Sequence, residues 1–263
     1  MRAMACPGTV TEMVRSIFSW SKRREEAATR SSAPPGQFVV AVGDVHGRLD
    51  LVEMLWHQID AASRLSSARQ RTLIFVGDYI DRGMHSAELI DRLLEGFPGF
   101  ETIYLKGNHD ETLLQFLTDP TIGEVWRNFG GLETLRSYGV SHTPGKSWSQ
   151  TRSEFADAIP RSHVDFFKNL KLHASVGDYL FVHAGLKPRV PLEDQRETDL
   201  LWIREEFLES TANFGRIVVH GHTPTETPDI RPNRIGIDTG AYMTGTLTAL
   251  VLEGRSRRFL STT

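Results

Sequence analysis

Short apolar, β-branched runs recur along this chain, and most end beside a glycine and a side chain able to bind a metal. Residues 38–42 run into Gly43-Asp44-Val45-His46-Gly47, and residues 72–76 into Gly77-Asp78-Tyr79-Ile80-Asp81-Arg82-Gly83. Residues 102–105 pass through Lys106 into Gly107-Asn108-His109-Asp110. Later, residues 179–182 lead into His183-Ala184-Gly185, and residues 217–219 into His220-Gly221-His222-Thr223. Runs of this length and composition read as buried strands. Helical patterns lie between the early ones, at residues 49–65 and 86–94. Such alternation predicts an α/β protein with a parallel sheet, whose ligands collect at the carboxyl ends of the strands.

Residues 111–172 read mostly as helices with loops, including a segment around Gly130-Gly131 and an exposed loop at 141–150. After Leu172 strands return quickly, at 179–182, 217–219, 234–237 and 247–252. Their short connections predict a second, mixed or antiparallel sheet. Residues 1–36 differ in character. Residues 21–30 are charged and alanine-rich, and Ser31-Ser32-Ala33-Pro34-Pro35-Gly36 has linker composition. Met13, Ile17 and Trp20 fall at helical spacing, but over only about two turns, too few for a stable isolated helix. We read 1–36 as a flexible tail and linker and 37–263 as the catalytic domain.

Composition narrows the chemistry. The single cysteine, Cys6, excludes an internal disulfide and a cysteine-based metal cluster, so any metal must be held by His, Asp, Glu or Asn. A net charge of -3 lacks the basic footprint of a nucleic-acid binder. No run approaches the roughly 20 apolar residues of a membrane span, and no secretory apolar segment is evident, so a cytoplasmic protein is expected. The oligomeric state is left open.

Carboxylates, an amide oxygen and imidazoles form a ligand set for Mg²⁺, Mn²⁺, Fe or Zn²⁺. Their convergence without cations would be costly, and two divalent ions offset that cost. Asp78, on the middle strand, can bridge both ions, with Asp44 and His46 completing one site and Asn108, His183 and His222 the other. Such a pair can acidify a shared water and neutralise phosphoryl oxygens. Arg82 can grip phosphate in a bidentate manner, beside Asn108. His109 can protonate a leaving oxygen, with Asp81 orienting its ring. A Gly-Asp step after a strand could be an ordinary turn, and any one of these motifs alone could be structural; five motifs at five strand ends point to a metal site.

The first three motifs resemble the signature triplet of the phosphoprotein phosphatase (PPP) family of calcineurin-like metallophosphoesterases. The likeness runs from about Phe38 to Leu252 and is nearest the bacterial and bacteriophage-type branch. His220-Gly221-His222-Thr223-Pro224 is similar to that branch's Gly-His-Thr-Pro segment, which implies that His222 rather than His220 is the ligand. Asp238-Thr239-Gly240-Ala241 also resembles that branch. Leu201-Trp202-Ile203-Arg204 resembles its Ile-Trp-Asn-Arg segment, implying that Arg204 is a second phosphate-binding arginine. The resemblance implies a two-sheet β-sandwich flanked by α-helices, a dinuclear site with Mn²⁺ as the expected metal, in-line attack by a bridging hydroxide, and no phosphoenzyme. Two departures are evident: Asp110 stands where Glu is usual in the family, and His183-Ala184-Gly185 replaces the His-Gly-Gly of its eukaryotic members.

The leading expectation is therefore a serine/threonine protein phosphatase acting on phosphoproteins or phosphopeptides, with phosphotyrosine as a further substrate. The alternative is a symmetrical diadenosine tetraphosphate hydrolase, or another small-molecule phosphoesterase of the same fold. A binding module with a relic metal site is a third reading, opposed by the complete set of ligands and arginines.

Overall fold

The computed structural model describes residues 31–263; the expectations for Met13, Ile17, Trp20 and the segment 21–30 lie outside the described residues. Strands β1 (Gln37–Val42), β2 (Gln70–Phe75) and β3 (Glu101–Tyr104) come first. Next are β4 (His173–Val176), β5 (Tyr179–Val182), β6 (Ile217–His220), β7 (Asp229–Ile230) and β8 (Arg234–Gly236). β9 (Thr248–Glu253) and β10 (Ser256–Ser261) close the chain. They form two five-stranded sheets, ordered β10-β9-β1-β2-β3 and β4-β5-β6-β8-β7. β1, β2 and β3 pair in parallel, as do β5, β6 and β8.

Period-two alternation explains how the sheets stack. Val39, Ala41, Ile74 and Val76 point into an apolar layer with Tyr179, Phe181, Val219 and Ile235 of the other sheet. Their neighbours Phe38, Val40, Val42, Leu73 and Phe75 point the other way, into the helical side. That side holds α1 (Leu49–Arg64), α2 (Ser86–Glu95), α3 (Asn108–Thr118), α4 (Gly123–Asn128), α5 (Gly131–Ser137), α6 (Trp148–Ala158) and α7 (Arg161–Lys168). The short helices α8 (Glu197–Trp202) and α9 (Glu205–Leu208) supply Leu200 and Phe207 to a smaller cluster on the far face of the second sheet. A last short helix, α10 (Ala241–Thr244), leads into β9. The expected two-sheet sandwich flanked by helices is present.

Three details differ from the sequence reading. The run at 247–252 does not join the second sheet: β9 pairs antiparallel with β1 in the first. Its near-continuous burial suits a strand covered on both faces, a property that apolar content alone does not assign to either sheet. β4, β7 and β10 carry no apolar run, because they lie at sheet edges with partly exposed residues. The loop expected at 141–150 is shorter, since Ser147 and Gln150 form a reciprocal cap that starts α6 at Trp148.

The end of the linker-like segment is fastened to the domain. Ala33 is buried and donates its N–H to the Gly254 carbonyl at 2.8 Å. Ser32 donates its N–H to Asp178 Oδ2 at 2.9 Å.

Candidate metal centre

The turns after β1, β2, β5 and β6, and the first turn of α3, meet at one edge of the sandwich. Asp44 and His46 follow β1, Asp78 follows β2, Asn108 opens α3, His183 follows β5 and His222 follows β6. All six are at most 5% exposed. The hydrogen bonds fix the histidine tautomers. His46 Nδ1 lies 2.8 Å from the Ile80 carbonyl and His183 Nδ1 lies 2.9 Å from the Val76 carbonyl. A carbonyl only accepts, so each Nδ1 carries the proton and each Nε2 presents a lone pair. Those lone pairs face other acceptors. His46 Nε2 is 3.6 Å from Asp78 Oδ2, and His183 Nε2 is 2.9 Å from Asn108 Oδ1 and 3.5 Å from Asp78 Oδ1. His222 Nδ1 is 2.8 Å from the same Asn108 oxygen. Asp44 Oδ1 and His222 Nε2 are buried with no hydrogen-bond partner among the described residues.

A buried space where lone pairs converge on lone pairs is stabilised by cations. The donors group as His46, Asp78 and His109, and as Asp78, His183 and His222, each set within 4.8 Å. Asp78 is common to both. Burial pushes His46 down to about 3 and His222 down to about 2, and lowers His183 as well, leaving the neutral imidazoles that bind metals. Burial would raise Asp78, but His183, His109, His46 and His222 overcome it and hold its carboxyl below the usual range. Asp44 is held well above that range, first by burial and then by Asp238 and Asp78. Like-charge crowding of this kind is relieved by divalent ions. The residues present therefore fit a dinuclear centre.

The backbone is bent to make this convergence. Among the described residues, six that are not glycine have positive φ, and five of them are His46, Asp78, Asp81, Arg82 and His222. Each such residue costs roughly 1–3 kcal/mol, a sum comparable with a domain's whole stability, so the surrounding packing must hold it. Glycine provides the close approaches. A Cβ on Gly107 would run into Asp78 Oδ1, and one on Gly221 into Asp44 Oδ1. Asp110, one carbon shorter than the family's usual Glu, still ties the loops together. Its Oδ2 accepts the N–H groups of Asp78 at 3.0 Å and Gly107 at 2.8 Å, and its Oδ1 accepts that of Tyr79 at 3.1 Å.

His109 and Asp81 are also brought together. His109 Nδ1 lies 2.6 Å from Asp81 Oδ2, and its Nε2 faces Asp78 Oδ2 at 3.8 Å. Burial lowers the His109 pKa, but Asp78 and the hydrogen bond to Asp81 outweigh it and favour imidazolium. Arg82 acts the other way, with a guanidinium nitrogen 3.3 Å from His109 Nε2. The Asp81 carboxylate is itself held by two residues that sequence reasoning missed. Trp126 Nε1 donates to it at 3.0 Å, and Thr134 Oγ1 donates to Oδ1 at 2.7 Å. They stand on α4 and α5, either side of Gly130-Gly131.

Arg82 is half-buried, its guanidinium 4.4 Å above the Tyr242 ring, which also sits edge-on to His46 at 5.4 Å. Arg204 is exposed and near enough to His183, His222 and Asp238 to act on their charge states. Asp238 is a further buried carboxylate at the site. Its Oδ1 accepts the Gly240 N–H at 2.9 Å, and burial raises it to about 6. His220 makes other contacts: its Nε2 lies 3.3 Å from an Arg234 guanidinium nitrogen, and its ring meets Phe207 edge-on at 5.1 Å.

Two sheets delivering carboxylate, amide and imidazole donors to one edge, with two arginines beside them, define a metal-dependent phosphoesterase architecture. The comparisons agree. The family model of calcineurin-like phosphoesterases matches residues 39–247, and the chain belongs to that family. A bis(5'-nucleosyl)-tetraphosphatase PrpE [asymmetrical] of Anoxybacillus flavithermus is 24% identical over 80% of this chain and 88% of its own length. The protein of that name from Bacillus thuringiensis is 30% identical over 80% and 88%. In fold, the chain is similar to a solved candidate diadenosine tetraphosphatase, with a TM-score of 0.60 and 21% identity over 88% of this chain and 96% of the other. A protein serine/threonine phosphatase from Saccharomyces cerevisiae aligns with a TM-score of 0.51 and 14% identity, over 94% and 89%. At these identities the two structures speak to the fold alone.

Proposed function

We propose that this chain hydrolyses bis(5'-nucleosyl) tetraphosphates asymmetrically, giving a nucleoside triphosphate and a nucleoside monophosphate. The reading is carried by curated relatives of that name, which align along four fifths of the chain. It reverses the order of the two readings drawn from the motifs, and replaces symmetrical by asymmetrical cleavage. The reversal has a chemical basis. The metal ligands and Arg82 suit a phosphate monoester and a phosphoanhydride alike, and His109 can protonate the leaving oxygen of either, so the presence of those motifs cannot rank the two substrates. A cytoplasmic location is part of this reading.

In it, Asp44, His46 and Asp78 hold one ion, and Asp78, Asn108, His183 and His222 the other. Such a pair of ions, Mn²⁺ among the metals these donors accept, supplies an acidified water and neutralises phosphoryl oxygens. The chain's own residues do the rest. Arg82 and Arg204, with the Asn108 amide, grip and orient the phosphate under attack. His109 offers a proton from Nε2 to the departing oxygen, while Asp81 holds Nδ1 and keeps the ring in that orientation. Water adds to phosphorus and one P–O bond breaks, with no covalent intermediate on the protein.

The test is a substrate panel on Mn²⁺-supplemented protein, with products separated by chromatography. The expected result is a higher kcat/KM on the dinucleoside tetraphosphate than on a phosphoserine or phosphothreonine peptide, yielding triphosphate and monophosphate. Two equal diphosphates would return the symmetrical alternative, and a higher kcat/KM on the peptide would return the protein phosphatase.

A further inference from the structure

Among the described residues, Trp202 is the one aromatic side chain in the set of exposed large hydrophobics, at 39% exposure. It stands at the end of α8, two residues before Arg204. Its ring meets His222 edge-on at 6.3 Å and Phe129 at 5.7 Å. Phe129 in turn lies 5.5 Å from the His109 ring. The two aromatics come from distant segments and together form a wall running from His222 to His109 along the rim of the metal centre. Tyr242 occupies another part of the rim, but its ring is already covered by the Arg82 guanidinium. Trp202 is the aromatic surface left open.

We propose that Trp202, backed by Phe129, is a stacking subsite for a nucleobase of the substrate. The inference rests on the nucleotide reading of the site and deepens it. An open indole beside arginines suits a ligand that is aromatic at one end and anionic at the other. The regiochemistry agrees. Asymmetrical cleavage breaks the anhydride link next to a nucleoside-bearing phosphorus, which places that nucleoside within one or two phosphates of the metals. Its base then falls at the rim. Cleavage at the central link would move the base one phosphate further out.

The experiment compares wild type with Trp202→Ala and Trp202→Phe on a dinucleoside tetraphosphate and on inorganic tripolyphosphate, which has anhydride bonds but no base. Metal content is measured in each. Base–aromatic stacking predicts a roughly five- to hundredfold fall in the kcat/KM ratio, dinucleotide over tripolyphosphate, in Trp202→Ala. The fall appears mainly in KM, and Trp202→Phe restores most of it. Equal losses on both substrates would overturn the subsite and make Trp202 a structural support for His222. Dinucleotide cleavage that ignores Trp202 overturns the subsite alone. Wild-type protein that cleaves tripolyphosphate or aryl phosphate but no dinucleotide overturns the nucleotide reading, and the subsite with it. A Trp202-dependent KM seen only with a phosphotyrosine peptide would hand the wall to an aryl phosphate instead.

Discussion

Asp78 and His109 are neighbours in space; the proposed function gives them separable duties, and substitution distinguishes them. Asp78→Asn removes the charge shared by both triads, so metal analysis of the purified variant should show loss of metal. Its turnover should fall more than about 100-fold, the upper loss seen when only a ligand's supporting partner is removed. His109→Asn leaves all six proposed ligands, Asp44, His46, Asp78, Asn108, His183 and His222, in place, so metal content should persist. Its turnover should fall about 10²- to 10⁴-fold on alkyl monoesters, whose alkoxide leaving group needs a proton. The loss on a phosphoanhydride should be smaller, because its leaving group is already a stable anion. Equal metal loss in the two variants would contradict this division. These residues were legible because each follows an apolar run and a glycine. Asp238 follows such a run as well, in the Asp-Thr-Gly step, but as a lone carboxylate there it could not be told from a turn. Its burial with Asp44 is a property of the fold.

The helical insertion shapes the site at the scale of elements. α4 and α5 reach the turn after β2 through Trp126 and Thr134, and the Gly130 carbonyl accepts the Arg82 N–H at 3.1 Å. Thr134→Val deletes one donor to a fully buried carboxylate, which costs about 1–3 kcal/mol. In a domain of this size that is about 2–4 °C of melting temperature per kcal/mol. Scanning calorimetry should show the loss, and alkyl-ester turnover should fall with it as His109 loses its fixed orientation. Thr134→Ser should recover both. Gly221→Ala tests a different element: the new methyl would displace Asp44, so metal affinity should fall while the sheets persist by circular dichroism. Nothing in the sequence marked Trp126 or Thr134 as partners of Asp81, since they lie 45 and 53 positions away. The three parallel strands of the first sheet were legible from their apolar runs. The edge strands β4, β7 and β10 were not, because their exposed faces take polar residues.

For the molecule as a whole, the metal centre is a seam between two sheets. Asp44, His46, Asp78 and Asn108 come from one side and His183 and His222 from the other, so bound ions join the halves of the sandwich. Chelation should therefore lower the melting temperature as well as activity, and re-addition of Mn²⁺ should restore both. Binding to the folded state alone contributes about 2.7 kcal/mol at a hundredfold excess over Kd. An unchanged melting curve after verified metal removal would place the ions outside the structural frame. The return of β9 to lie beside β1 makes the division less tidy than chain order suggests, for the first sheet is completed only after the second has been made. This interleaving has a consequence for fragments. A cut in the short connection between α7 and β4 would leave an amino-terminal piece without β9, β10, His183 and His222, and a carboxyl-terminal piece without Asp44, His46, Asp78 and Asn108. Neither piece could work alone, so recovered turnover on mixing would be a direct reporter of two polypeptides reassembling.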